Sequence, residues 1–270
     1  MPPAPAIVGP TEPGGAEFAG VVLAAGAGTR LRPLTTVRPK ALCPILDRPL
    51  LDWALDRVTP YATAVAVNAH HLADQVVAHL SGRPVHLALE HPRALGTAGA
   101  LANLRDWIDG RPVLVANADT WHAGDPAAAL AGLVAGWDGE RTRLLCTRDP
   151  DRGDFAELRY VGSALLPWTV VRELRPVPSD LYEVSWRGLH ARGALDLHAT
   201  AKVVIDCGTP ATYLAANMAA SGGASVVGKD AVVDGELVRS VVWPGGVVGR
   251  GERLVDAVRV GKNLTVVPAG

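Results

Sequence analysis

The chain has 270 residues, 49% apolar and 20% charged, close to the upper size for one core and with no compositional sign of overall disorder. Lysine and arginine number 26 against 27 acidic residues, a net charge of −1, so there is no basic footprint for nucleic acid or an anionic membrane, and any phosphate must be held locally. The three cysteines show no paired or metal-type spacing, no apolar run reaches the ~18 residues of a membrane span, and no signal-peptide pattern opens the chain, so a soluble, cytoplasmic protein is expected.

Residues 1–18 are rich in Pro, Gly and Ala without helical or strand period and read as a flexible extension. From 19 to 222 short apolar runs alternate with helix-like segments: Val21 to Ala25, Leu50 to Val58, Ala64 to Asn68, Leu72 to Leu80, Val85 to Glu90, Thr97 to Leu104 and Val113 to Asn117. Such alternation predicts an α/β domain with a mainly parallel central sheet covered on both faces. Several strand candidates end in polar or Gly-rich residues, and ligands of open α/β sheets bind beyond the carboxyl ends of the strands. The stretch from about Arg141 to Asp206 has shorter runs and is expected to shape the pocket of a second substrate. Residues 223–270 repeat small apolar pairs between Gly, Asp and Asn, which predicts about two coils of a β-helix-like appendage that packs on the main domain or on another subunit.

The stretch from Gly20 to Leu42 carries the most information. A buried strand runs into Gly26-Ala27-Gly28-Thr29-Arg30, where glycines let backbone N–H groups approach phosphate oxygens. Arg30 and Lys40 supply positive charge, and Pro39 restricts the backbone before Lys40. The spacing is neither the dinucleotide pattern nor the Walker pattern.

In the run Gly26 to Leu31, followed by Pro33-Leu34-Thr35 and Pro39-Lys40, the chain resembles the nucleotide-sugar pyrophosphorylase family, the sugar-1-phosphate nucleotidyltransferases. The resemblance continues at Ala94 to Ala100, at Asn117-Ala118-Asp119 and at Ile205 to Pro210. It implies a Rossmann-like nucleotidyltransferase fold that joins an NTP to a sugar 1-phosphate and releases pyrophosphate. The nucleotide would be held by Leu23, Ala24, Ala25, Gly26, Gly28, Thr29, Arg30, Glu90, Gly96, Thr97 and Asn117. Asp119 and Asp206 correspond to the family's two metal-binding aspartates, for Mg²⁺, with Asp119 also on the substrate. Arg30 would stabilise the leaving pyrophosphate and Lys40 the α-phosphate or the attacking phosphate.

Base and sugar are read less directly. Glu90 ends a strand where a carboxylate can accept two N–H groups of guanine, and Leu95 to Gly99 resembles the mannose 1-phosphate guanylyltransferases, so GTP is favoured. Asn68 to Leu80 and Asn117 to Trp121 instead resemble the short uridylyltransferases acting on N-acetylmuramate 1-phosphate; a uridylyl or thymidylyl transfer to another hexose 1-phosphate is the alternative. The Glu-Lys-Pro segment that contacts the sugar in the family is missing. Its nearest counterpart is Asp154 to Ser163, including Gly162, with Glu183 as a further candidate. A non-catalytic nucleotide-sugar sensor is the rival from another class, but it would be expected to have lost charge at Arg30, Lys40, Asp119 or Asp206. A homo-oligomer through the C-terminal segment is also expected.

Overall fold

The computed structural model describes residues 17–268, so the extension expected over residues 1–18 lies almost wholly outside the described residues. Phe18, placed in that extension, already opens the first strand, β1 (Phe18–Leu23). Helices and strands then alternate: α1 (Leu50–Val58), β2 (Ala62–Ala69), α2 (Ala73–Leu80), β3 (Val85–Leu89), α3 (Gly96–Asn103) and β4 (Val113–Asn117). Each segment expected from periodicity is present with small shifts at its ends. α1 shows why the pattern was legible. Leu50, Leu51, Ala54, Leu55 and Val58 recur at helical spacing and are all buried, Pro49 precedes the first turn, and Asp52 sits in it where the helix dipole favours an anion.

The later strands are β5 (Thr120–His122), β6 (Thr142–Arg148), β7 (Leu158–Leu166), β8 (Leu195–Ala199) and β9 (Val204–Asp206). One seven-stranded sheet runs in the order β8-β6-β7-β4-β1-β2-β3. Only β7 is antiparallel to its neighbours, so the sheet is mainly parallel as expected. Apolar clusters cover both faces: α1 and α2 pack over Val22, Val67 and Leu114, and α3 packs over Val21, Ala66 and Val115. Each fully buried aliphatic side chain contributes about 1.5–3 kcal/mol, which makes this centre the stable frame from which the strand ends project.

β9 leaves that sheet and pairs antiparallel with β5, placing Asp206 opposite Thr120. Beyond β9 the chain enters α4 (Pro210–Ala220), started by a capping box between Thr209 and Thr212 with Pro210 in the first turn. The C-terminal residues form short parallel pairs in which Val226, Val241 and Val258 stack in register, as do Val232 on Val247 and Leu237 on Leu254. The strand Leu264–Val266 turns back antiparallel over the last coil and covers its edge. The coil docks on the main body through buried Trp243, whose indole N–H donates to Tyr213 Oη at 2.9 Å, while the Tyr213 hydroxyl donates to the Pro44 carbonyl. Among the described residues no helix is long and apolar enough to cross a membrane.

Candidate active site

The carboxyl ends of β1, β2 and β4 open on one side of the sheet, and the glycine loop begins there. After Leu23 the chain turns through Ala24 to Gly28 into a short 3-10 turn, Thr29–Leu31. Gly28 takes φ 58°, and a Cβ there would meet Thr35 Cγ2 at 2.8 Å and Lys40 Cβ at 3.1 Å. Only glycine lets the loop fold back this tightly onto the Lys40 segment. Thr35 fixes the fold by donating its hydroxyl to the Gly28 carbonyl at 2.8 Å.

Lys40 is buried, with its ammonium donating to Asp119 Oδ2 at 2.6 Å and lying 3.5 Å from Asp206 Oδ1. Burial alone would push this ammonium down. The two carboxylates, Asp119 first, outweigh burial and hold its pKa above the usual lysine value, so the group is charged at neutral pH. Arg30, mostly exposed, stands 3.8 Å from Asp206 Oδ2.

Two independent devices bring the aspartates together. Asp119 sits in the turn between β4 and β5, and Asp206 ends β9. The β5–β9 pairing continues as the Cys207 N–H donates to the Asp119 carbonyl at 2.9 Å. Asp206 Oδ1 is buried and has no hydrogen-bond donor among the described residues. Beneath the turn, fully buried Arg57 donates to the Asn117 carbonyl at 3.3 Å and the Thr120 hydroxyl at 3.4 Å, on either side of Asp119. Burial lowers its pKa to about 10, which leaves the guanidinium charged at neutral pH.

Two cavities meet here. One, of about 250 Å³, is lined by Leu23, Ala25, Gly26, Asn68, Gly96, Thr97, Asn117, Asp119 and Asp180. The other, of about 390 Å³, is lined by Arg30, Asn117, Asp119, Thr147, Asp154, Arg159, Tyr160, Gly162 and Asp206. They share Asn117 and Asp119, so Asp119 stands on the boundary between two compartments. Gly162 takes φ 81°, and a Cβ there would lie 2.8 Å from Thr120 Cγ2, so glycine is what lets β7 approach the Asp119 turn. The segment Asp154 to Ser163, expected in place of the missing sugar motif, supplies much of the second cavity.

Several expected site residues fall elsewhere. Glu90 is 1% exposed and both its carboxylate oxygens are engaged: Asn68 Nδ2 donates to Oε1 at 2.8 Å and the Leu95 N–H donates to Oε2 at 2.7 Å. It therefore has no free edge for guanine. Its work is to orient Asn68, whose Oδ1 accepts the Ala24 N–H at 2.7 Å, so the Ala24 amide is also spoken for within the protein. Glu183 pairs with Arg187 at 2.8 Å and lines neither cavity, which removes it as a sugar contact. Arg30 lines the larger cavity and not the smaller one. Thr29 borders neither, while Gly28 acts through its backbone shape.

Sequence reasoning did not find Arg57, Arg159 or Asp180. Asp180 lines the smaller cavity and accepts the Thr97 N–H at 3.4 Å. No local pattern surrounds these residues. The cysteines serve packing: burial pushes the Cys43 thiol up to about 12 and the Cys207 thiol higher still, so neither offers a thiolate. The arrangement can bind two anions side by side and neutralise charge between them, without a nucleophilic side chain.

The profile of the MobA-like NTP transferase domain matches residues 20–180. The N-acetylmuramate alpha-1-phosphate uridylyltransferase of Caulobacter vibrioides is 32% identical over 231 residues, which covers 73% of this chain and 94% of that protein. The enzyme of the same name from Neisseria meningitidis serogroup B is 36% identical over 105 residues, 37% of this chain and 46% of that protein. Among solved structures, a Bacillus anthracis protein provisionally assigned as a glucose-1-phosphate thymidylyltransferase superposes with TM-score 0.62 at 21% identity, over 75% of this chain and 95% of that one. At that identity the likeness speaks to the fold alone. With its sheet, its glycine loop and most of its length matched in these ways, the chain belongs to the MobA-like NTP transferase domain family and is a nucleotidyltransferase.

Proposed function

We propose that the protein transfers a uridylyl group from UTP to a sugar 1-phosphate, with N-acetylmuramate 1-phosphate as the first sugar to try, releasing pyrophosphate. The observation that carries this reading is the pair of cavities that meet at Asp119, with Lys40, Asp206 and Arg30 grouped at the junction. The smaller cavity takes the nucleotide against Gly26 and the Gly96-Thr97 backbone. The larger one takes the sugar phosphate. Lys40 and Arg30 reduce the repulsion between the two phosphates, and the walls hold the attacking oxygen in line with the α-phosphorus.

Among the described residues no group of three or more His, Cys, Asp or Glu side chains gathers to hold a metal on its own. Mg²⁺ does not require one, because it binds through one or two carboxylates plus substrate phosphates. Asp206 Oδ1, which accepts no hydrogen bond among the described residues and has the Lys40 ammonium 3.5 Å away, and the partly exposed carboxylate of Asp119 fit that donor set. Bound there, Mg²⁺ would neutralise phosphate charge during transfer.

The Caulobacter relative, covered nearly end to end, supports uracil over guanine, and the guanylyltransferase reading loses its main residue because Glu90 is buried and fully engaged. Self-association through the C-terminal coil is a further part of this proposal, which light scattering on the purified chain tests; its exposed Val227, Val232 and Val255 lie in three separate strand stacks and make no single apolar patch. The decisive assay is pyrophosphate release over a matrix of NTPs and sugar 1-phosphates, with and without Mg²⁺. Turnover confined to GTP would overturn the base choice; no turnover with any pair, together with retained nucleotide-sugar binding, would favour a sensor.

A further inference from the structure

Arg159 and Thr147 face each other across the antiparallel β6–β7 pair, and both line the larger cavity. Cross-strand partners project to the same face of a sheet, so a guanidinium and a hydroxyl stand side by side on this wall. Arg159 makes one hydrogen bond among the described residues, from Nη1 to Asp149 Oδ2 at 3.5 Å, and Asp149 also lies 3.7 Å from Arg152. A guanidinium carries five N–H donors in a planar fork, so most of those on Arg159 are free, and its side chain is partly exposed toward the cavity.

The transfer step has no use for this charge. The reacting phosphates belong beside Lys40, Arg30, Asp119 and Asp206, and no ion pair within 4.0 Å joins Arg159 to either aspartate. Gly162, at the middle of β7 and pressed against Thr120, marks the point of the strand that meets the Asp119 turn. Arg159 lies three residues before it, up to ~10 Å along a strand, about the reach of a pyranose ring and one substituent. A fork of free donors at that distance suits a planar anion, and the matching group on a sugar is a carboxylate.

Resting on the proposed transfer to a sugar 1-phosphate, we infer that Arg159, with Thr147 beside it, is the specificity-determining residue that reads a carboxylate on the sugar at the end away from its phosphate. Asp154 lines the same cavity and is tied by accepting the Tyr160 N–H at 2.9 Å, which leaves its second oxygen to accept a sugar hydroxyl.

The test compares N-acetylmuramate 1-phosphate with N-acetylglucosamine 1-phosphate, which lacks the acidic arm, using UTP and the full chain. Wild type should prefer the acidic sugar, and Arg159→Gln should lower the acidic-to-neutral ratio of kcat/KM by about 10- to 100-fold, mainly through KM. Arg159→Lys, which keeps the charge but not the fork, should recover part of the ratio. An unchanged ratio in Arg159→Gln overturns the inference, as does an equal loss on both sugars, which would give Arg159 to the phosphate or to the scaffold. If the wild type turns over neither sugar, the transfer reading is what fails. Calorimetric binding of N-acetylmuramic acid then still decides on Arg159: weaker binding to Arg159→Gln supports the inference, and equal binding overturns it.

Discussion

Lys40 donates to the Asp119 carboxylate at 2.6 Å although the two residues are 79 positions apart, and the contact is made where the two cavities join. A buried ammonium held by two aspartates acts as a fixed countercharge whose desolvation is offset before any substrate arrives.

Replacing Lys40 by Met should lower kcat/KM at least ~100-fold, in the range observed when a preorganised charge is removed from a transition state. Asp119→Asn should lower it by a similar factor. Because the two act as one unit, the double variant should be little worse than either single one, and steady-state kinetics on the four proteins reads this coupling. Multiplicative losses would show that Lys40 and Asp119 act independently.

Glu90→Gln tests the correction to the base-reading expectation. The buried carboxylate orients Asn68, which in turn holds the Ala24 amide, so loss of charge loosens the start of the glycine loop. Charge-assisted hydrogen bonds of this kind are worth about 1.5–3 kcal/mol. The variant should melt several degrees lower, and KM should rise for UTP and GTP by the same factor. A change in the UTP-to-GTP ratio would return Glu90 to base recognition.

Much of this fold was legible because its signals are local. The helical spacing in α1, the short apolar runs of β1, β2 and β4, and the polar residues that end them all follow from neighbouring positions. The shape of the glycine loop was legible for the same reason, since Gly28, Thr35 and Lys40 interact within a short stretch. Glu90 was misread because its partner Asn68 lies on the neighbouring strand, and nothing local shows that a carboxylate at a strand end is already satisfied. Arg57 reads locally as a polar position on α1, and only the Asn117–Thr120 turn packed above it gives the charge a purpose. Arg159 gains meaning from its register opposite Thr147, which the antiparallel β7 sets.

Arg57→Met separates positioning from stability. Methionine fills much of the same volume without a buried charge, and such replacements are often close to neutral for stability. The Thr120 hydroxyl loses its donor, however, and the Asn117 carbonyl keeps only the Thr120 hydroxyl at 3.4 Å, so the turn that carries Asp119 is freed to shift. Melting temperature should therefore change by only a few degrees while kcat falls at least ~10-fold, since displacement of a catalytic group by about 1 Å is enough to lose that much or more. A loss of stability with kcat intact would make Arg57 a packing residue.

His122 gives the protein a pH dependence of its own. The imidazole is 3% exposed, and its Nε2 has no hydrogen-bond partner among the described residues. Burial first, then the charges of Arg57 and Lys202, push its pKa down to about 2. The unfolded chain binds a proton at this histidine below pH ~6.5, whereas the native protein does not until far lower pH, so this contribution to stability is present above ~6.5 and is lost as pH falls. Half of the unfolded chains already carry the proton at pH ~6.5, so between pH 6.5 and 5 the loss comes to about 1.6 kcal/mol, equivalent to roughly 3–6 °C in a protein of this size. Melting curves of the wild type and His122→Phe over that interval should diverge by this amount, with the variant losing less as the solution is acidified. Parallel curves would show that the native imidazole takes up its proton in the ordinary range.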